Sequence, residues 1–284
     1  MRNAIFLTFD DHYLKYAFVC LNSIKENYPN HPEILIFYEG QDAFVLKSID
    51  AIPNCNIIQF NLEFLKEYNI KLTDWTTSKV LIRYILWTPQ FDEYDNILHI
   101  DADTIICKPL DEIFSNTDFF AVKDYTPFGF SGFKKEFSSN KVLQKMLAAD
   151  NFPFSPSECS MLNAGVFVIP KKYRTKAHFE KLLELSKKYS FYANFADQTI
   201  ISLWCHYNLI DFSENLRFNF QMCFFNNLSF FRGISDFEEI ISDIHICHFT
   251  WWKPESKMYK AFLISINCFQ TINYQYEYYL NRNE

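Results

Sequence analysis

Short, nearly unbroken apolar runs alternate in the first hundred residues with segments whose apolar positions recur every three to four residues, and this switching of period predicts the elements. Ala4 to Phe9 has the length and composition of a buried strand. The segment after it carries Tyr13, Tyr16, Ala17, Cys20, Leu21 and Ile24 at helical spacing, until Tyr28-Pro29 stops it. Glu33 to Tyr38 predicts a second strand, Ala43 to Ile49 a helix, and Asn56 to Phe60 a third strand. This βαβαβ rhythm implies a parallel sheet with right-handed crossovers. Further on, Ser78 to Trp87 predicts a helix closed by Thr88-Pro89, and Asn96 to Ile100 a strand that delivers Asp101 at its carboxyl end. Strands follow at Phe119 to Lys123, Val166 to Ile169 and Ile241 to Cys247, with helices at Ala177 to Tyr189 and Gln198 to Cys205. No repeat, low-complexity stretch or Gly/Ser linker interrupts the pattern, so residues 1–255 are expected to form one α/β domain, with 256–284 as an aromatic-rich extension.

Composition and charge narrow the chemistry. The 284 residues carry a net charge of −7, with Lys and Arg scattered and no basic run, which excludes the electrostatic footprint of a nucleic-acid binder. An acidic chain can still bind an anionic nucleotide when a cation mediates, and that favours a metal site. The 32 Phe and 17 Tyr are weak evidence for sugar stacking, since base composition of the coding sequence also enriches them. Eight cysteines without a CxxC pair argue against structural zinc. The opening residues reach a charge after too few apolar positions for a signal-peptide core, and no apolar run approaches a membrane span, so a reducing, cytoplasmic setting is expected.

Asp101 and Asp103 are the first candidates for chemistry. In open α/β sheets ligands bind beyond the carboxyl ends of the strands, and two carboxylates there supply hard oxygen ligands for Mg²⁺ or Mn²⁺ while leaving positions open for phosphate oxygens. A lone Asp-x-Asp is more often a turn cap, so the pair needs support. His248, near the end of the last strand, is a third candidate ligand, with His245 of the same segment as its competitor. Imidazole in the set favours Mn²⁺. Lys253, before Pro254, could balance diphosphate charge.

Taken in order, these segments resemble glycosyltransferase family 8, the retaining enzymes that include glycogenin and bacterial lipopolysaccharide galactosyl- and glucosyltransferases. Leu7-Thr-Phe-Asp-Asp-His-Tyr13 is similar to the family's first strand and turn, which hold uridine; the resemblance assigns that role to Leu7, Phe9, Asp10 and Tyr13. Arg83 falls where the family has an arginine reaching donor sugar and phosphate, and Asp101-Ala102-Asp103 matches its metal- and donor-binding motif. Asp124 follows a strand at the position of a sugar-binding acid, and Asn163-Ala164-Gly165 resembles the family's Asn-Ala/Ser-Gly segment beside the reacting centre. Asp197-Gln198 matches the pair that faces the donor sugar. The last motif departs from the family pattern: His248-Phe-Thr-Trp-Trp-Lys-Pro-Glu255 lacks the glycine and the final tryptophan that surround the family's Lys-Pro.

The resemblance implies a single GT-A type (Rossmann-like) domain with a mixed, mostly parallel central sheet flanked by helices. It implies a retaining hexosyltransferase that uses a UDP-sugar and Mn²⁺, or else Mg²⁺, with Asp101, Asp103 and His248 as ligands. Asp197, Gln198 and Arg83 are the expected catalytic groups. Glucose or galactose ranks ahead of an N-acetylhexosamine, and the acceptor is a saccharide, glycolipid or protein. A nucleotidyltransferase acting on sugar phosphates ranks second, because the turn after the first strand lacks a Gly-rich basic loop; an inactive carbohydrate-binding relic ranks behind it. The tail beyond Met258 suits packing or a homodimer contact better than peripheral membrane contact, given its few Lys and Arg.

Overall fold

The computed structural model describes residues 1–59, 81–124, 140–153, 159–221 and 243–250. Its centre is a six-stranded sheet built from β1 (Asn3–Phe9), β2 (Glu33–Tyr38), β3 (Cys55–Ile57), β4 (Asn96–Asp101), β6 (Phe120–Lys123) and β7 (Leu162–Pro170), in the order β3-β2-β1-β4-β7-β6. The pairs from β3 to β4 are parallel, whereas β7 runs antiparallel to both β4 and β6, so the sheet is mixed and mostly parallel. A second sheet joins β5 (Thr104–Ile106), β8 (Phe220–Gln221) and β9 (Ile246–His248), with β9 in the middle.

The apolar runs are continuous because the central strands are covered on both faces. Ala4 and Phe6 of β1 point to one core and Ile5, Leu7 and Phe9 to the other, as the two-residue period of a strand requires. The first core lies under α4 (Lys176–Tyr189) and α5 (Ala196–Tyr207) and takes Leu143 and Leu147 of α3 (Lys141–Ala149). The second lies under α1 (Leu14–Asn27) and α2 (Ala43–Asp50), through Ala17, Cys20, Leu21, Ile24, Val45 and Ile49. Caps fix the helix starts: Asn140 accepts the Leu143 N–H and Thr175 accepts the His178 N–H.

Several expectations shift. Within Ser78 to Trp87 the described part is helical, α-helical at Leu81 and continuing as a 3-10 helix over Ile82–Trp87. Its side chains are almost all buried, and Thr88, held extended before Pro89, ends it after six residues. The third strand is three residues long, an edge that lacks an outer partner among the described residues. The last strand begins at Ile246 and contains His248, with positions 241 and 242 outside the described residues. Lys253, Trp251, Trp252 and the extension 256–284 also lie outside them. None of the described helices is long and apolar enough to cross a membrane. The described cysteines are free thiols, mostly buried.

Candidate active site and metal centre

Strand order reverses between β1 and β4, since β2 and β3 extend the sheet on one side of β1 and β4 lies on the other. Such a switch point opens a crevice at the carboxyl ends of the two strands. Thr8 pairs with Asp101 there, so Phe9 and Asp10 leave β1 beside the acidic turn. Asp10 accepts the N–H groups of His12 and Tyr13 and caps the short turn after β1. Tyr13 is exposed at the rim, while Phe9 is buried and Leu7 fully so.

Asp101 is the last residue of β4, and Asp103 precedes β5 in the other sheet, so one turn carries two carboxylates across the junction of the sheets. The Thr104 hydroxyl donates to the Asp101 carbonyl and closes that turn, leaving Ala102 buried inside it. Thr104 in turn pairs with His248 across the β5–β9 ladder, and Phe249 N–H donates to the Asp103 carbonyl. His248 is thereby delivered to the acidic pair: its Nε2 lies 3.8 Å from Asp101 Oδ2 and 3.5 Å from Asp103 Oδ1. His245 packs on Phe218 and does not join the group, which among the described residues consists of Asp101, Asp103 and His248.

The three ligand atoms of Asp101, Asp103 and His248 lie within 4.8 Å of one another, the one such group found among the described residues. Adjacent ligands of an octahedral ion at ~2.1 Å bonds stand about 3 Å apart, so spacings of this size suit a divalent cation after a small contraction. Gly165 supplies the room. A Cβ built there would sit 2.1 Å from His248 Cε1 and 2.8 Å from Asp101 Oδ2, so the glycine exists to admit the imidazole and the carboxylate.

Asn163-Ala164-Gly165 occupies an irregular stretch of β7. Ala121 pairs with Phe167 but Lys123 with Leu162, so two steps along β6 meet five along β7. Bulges of this kind re-aim strand residues next to active sites. Both backbone groups of Ala164 are held by side chains: its N–H donates to Gln198 Oε1 at 3.1 Å and its carbonyl accepts from Arg83 Nη1 at 2.9 Å. Gln198 Nε2 donates to Asp124 Oδ2 at 2.8 Å, which fixes the acid at the end of β6. Asn163 Oδ1 accepts from Gly165 N–H and from Asn219 Nδ2.

Arg83 links the acids. Nη2 donates to Asp101 Oδ1 at 3.1 Å, and Nε stands 3.1 Å from Asp197 Oδ2 as an ion pair not aligned for a hydrogen bond. Burial works against ionisation of Asp101, but Arg83, His99 and His248 together outweigh it and hold the carboxyl well below the usual range. Burial raises Asp197, against the opposing pull of Arg83 and with help from Asp101, to about 6. Burial also lowers His99 to about 4, so its neutral ring donates Nε2–H to Asp101 Oδ1 from between Phe6 and Phe167.

The crevice therefore brings together Arg83, Asp101, Ala102, Asp103, Asp124, Asn163, Ala164, Gly165, Asp197, Gln198 and His248. Sequence reasoning passed over His99 and Asn219, both fully buried. His99 offered a signal, as the polar residue within the apolar run Ile97 to Ile100 two before Asp101; Asn219 offered none.

The family model for glycosyl transferase family 8 matches residues 4–255. Among solved structures, the bifunctional glycosyltransferase WbbM is 21% identical with a TM-score of 0.66, covering 96% of this chain and 51% of its own. The galactosyltransferase LgtC, solved with donor and acceptor sugar analogs, is 16% identical with a TM-score of 0.63, covering 98% of this chain and 95% of its own. GlyE of Streptococcus pneumoniae TIGR4 is 16% identical with a TM-score of 0.61, over 99% and 63%. The chain thus spans about half of WbbM and nearly all of LgtC, and it has the GT-A fold. No curated protein sequence matches it.

Proposed function

The chain belongs to glycosyl transferase family 8, and from that premise we propose that it is a metal-dependent, retaining hexosyltransferase moving glucose or galactose from a UDP-sugar to a saccharide, glycolipid or protein acceptor. The observation that carries this reading is the convergence of Asp101, Asp103 and His248 at the switch point between β1 and β4. One imidazole among the ligands favours Mn²⁺ over Mg²⁺. When bound, the ion would neutralise the donor's diphosphate and the charge that grows on it as the anomeric bond breaks.

The remaining residues bind and orient. Phe9, Asp10 and Tyr13 take the uridine beside the end of β1, while Leu7, which the resemblance adds to them, supports them from within the sheet between β2 and β4. Asp124, aimed by Gln198, faces the sugar hydroxyls. Arg83 commits two of its five N–H donors to Asp101 and Ala164, which leaves donors for a sugar or phosphate oxygen. Lys253, outside the described residues, carries the charge that the sequence assigns to balancing the leaving diphosphate. Gln198 Oε1 accepts the Ala164 N–H, and retention follows either from attack on the face that the phosphate leaves or from a transient adduct on Gln198 or Asp197.

Thermal unfolding with UDP, in Mn²⁺ and in EDTA, tests the reading. UDP should stabilise the protein in Mn²⁺ far more than in EDTA, and Asp103→Asn should lose that difference while melting near the wild-type temperature. UDP release from UDP-glucose or UDP-galactose, enhanced by an acceptor, should follow the same dependence. Equal UDP stabilisation with and without metal, or turnover by Asp103→Asn in EDTA, would overturn the proposal.

A further inference from the structure

Asn219 lies immediately before β8 and is fully buried behind the crevice. Its carboxamide joins two parts of the site that sequence places far apart. Oδ1 lies 3.1 Å from His248 Nδ1, and Nδ2 donates to Asn163 Oδ1 at 3.0 Å. Asn163 Oδ1 also accepts Gly165 N–H at 3.1 Å.

The direction of every bond in this chain follows from its fixed end. A backbone N–H can only donate, so the Asn163 group facing Gly165 must be its oxygen. That oxygen then needs a donor from Asn219, which turns Nδ2 toward Asn163 and Oδ1 toward His248. An amide oxygen can only accept, so His248 must carry its proton on Nδ1. Nε2 is left with its lone pair, facing the two carboxylates at 3.8 Å and 3.5 Å. A nitrogen in that state is a metal ligand; the other tautomer would present an N–H to the acids and block a cation.

We propose that Asn219 is a positioning residue that sets the tautomer of His248, relaying the polarity of the Gly165 backbone N–H through Asn163 to the metal-facing nitrogen. The inference rests on the metal reading of the preceding section for its consequence but not for its hydrogen-bond logic. It also gives Asn163 an internal role, since the oxygen of its side chain is spent on Gly165 and Asn219. Partners of this kind typically change metal affinity by about 10–100-fold when removed.

Two measurements on the full chain test it. Nitrogen-15 spectra of histidine-labelled, metal-free protein at alkaline pH, where imidazoles are neutral, report the tautomer of each of the seven histidines. His248 is identified by the resonances that His248→Gln removes. Mn²⁺ titration followed by electron paramagnetic resonance gives affinity without turnover. Wild-type protein should show His248 as the Nδ1–H tautomer, and Asn219→Leu should shift it toward Nε2–H and weaken Mn²⁺ binding about 10–100-fold. Asn219→Asp, which still accepts from Nδ1, should restore the tautomer and part of the affinity. An Nε2–H tautomer in the wild type, or unchanged Mn²⁺ affinity in folded Asn219→Leu, overturns the inference; the first needs no substitution at Asn219. Wild-type protein that shows the Nδ1–H tautomer but binds no Mn²⁺ overturns the metal reading alone.

Discussion

A methyl group at position 165 would meet His248 Cε1 and Asp101 Oδ2, both ligand side chains, at distances no real Cβ tolerates. Gly165→Ala should therefore displace His248 or Asp101 by about 1 Å, enough to cost roughly 100-fold in metal-dependent turnover, with a stability loss of about 1–3 kcal/mol. Mn²⁺ titration and urea unfolding separate the two effects. Asp197 makes a prediction of a different kind. Burial first, then Asp101, raises its pKa from 3.8 to about 6 despite Arg83, so the folded state keeps a proton that the unfolded chain has released. The stability this contributes is fully present below the unfolded pKa and is lost as pH rises through the folded one. Asp197→Asn stays neutral throughout, so its stability relative to wild type should climb by about 3 kcal/mol between roughly pH 4 and pH 7. Urea midpoints of the metal-free proteins at a series of pH values measure it, and a difference that does not change with pH would show Asp197 ionised in the fold. The sequence made Asp101, Asp103, Asp197 and Gln198 legible because their types and order carry the chemistry. It hid Asn219 and the work of Asn163, because a hydrogen-bond relay depends on which distant backbone group each amide meets.

At the scale of elements, the segment Ile82–Trp87 packs on α4 and is tied to α5 by two side-chain contacts. The ion pair of Arg83 with Asp197 closes one end, and Trp87 packs edge-on to Trp204 at 5.3 Å at the other. The offsets agree: four residues of 3-10 helix advance about 8 Å and seven of α-helix about 10 Å. Aromatic packing thus fixes the axial position of Arg83. Trp204→Ala should cost about 3–5 kcal/mol and, by letting the two elements slide, lower kcat/KM by up to about 100-fold. Trp204→Phe should keep most of both, and full activity in a folded Trp204→Ala would show that the acids position Arg83 unaided. Periodicity identified Ser78 to Trp87 as helical but could not give its tight winding, because nearly complete burial removes the amphipathic signal that sets the period. The β7 irregularity was equally invisible, since Asn163 to Gly165 reads as an ordinary start to a strand. The outcome for β9 differs, because its three residues exist only through pairing with β5 and β8.

For the whole molecule, the alternating periods made the parallel half of the sheet and its switch point readable, and with them the address of the site. The antiparallel insertion of β7 between β4 and β6 was not readable, because a buried strand has the same apolar run in either direction. Net charge acts at this scale as well. A chain of −7 repels a nucleoside diphosphate over a range set by the Debye length, about 30 Å at 0.01 M salt and about 8 Å at 0.15 M. If the diphosphate is held chiefly through a cation, UDP binding in EDTA should be weak and should strengthen as salt rises over that interval, because screening removes the repulsion. In saturating Mn²⁺ the nucleotide enters with most of its charge neutralised, so the salt dependence should nearly vanish. Calorimetric titration of UDP at the two ionic strengths, with and without metal, gives the four affinities needed. Binding in EDTA that strengthens at low salt would mean that basic side chains, rather than Asp101, Asp103 and His248 with their ion, carry the attraction for the diphosphate.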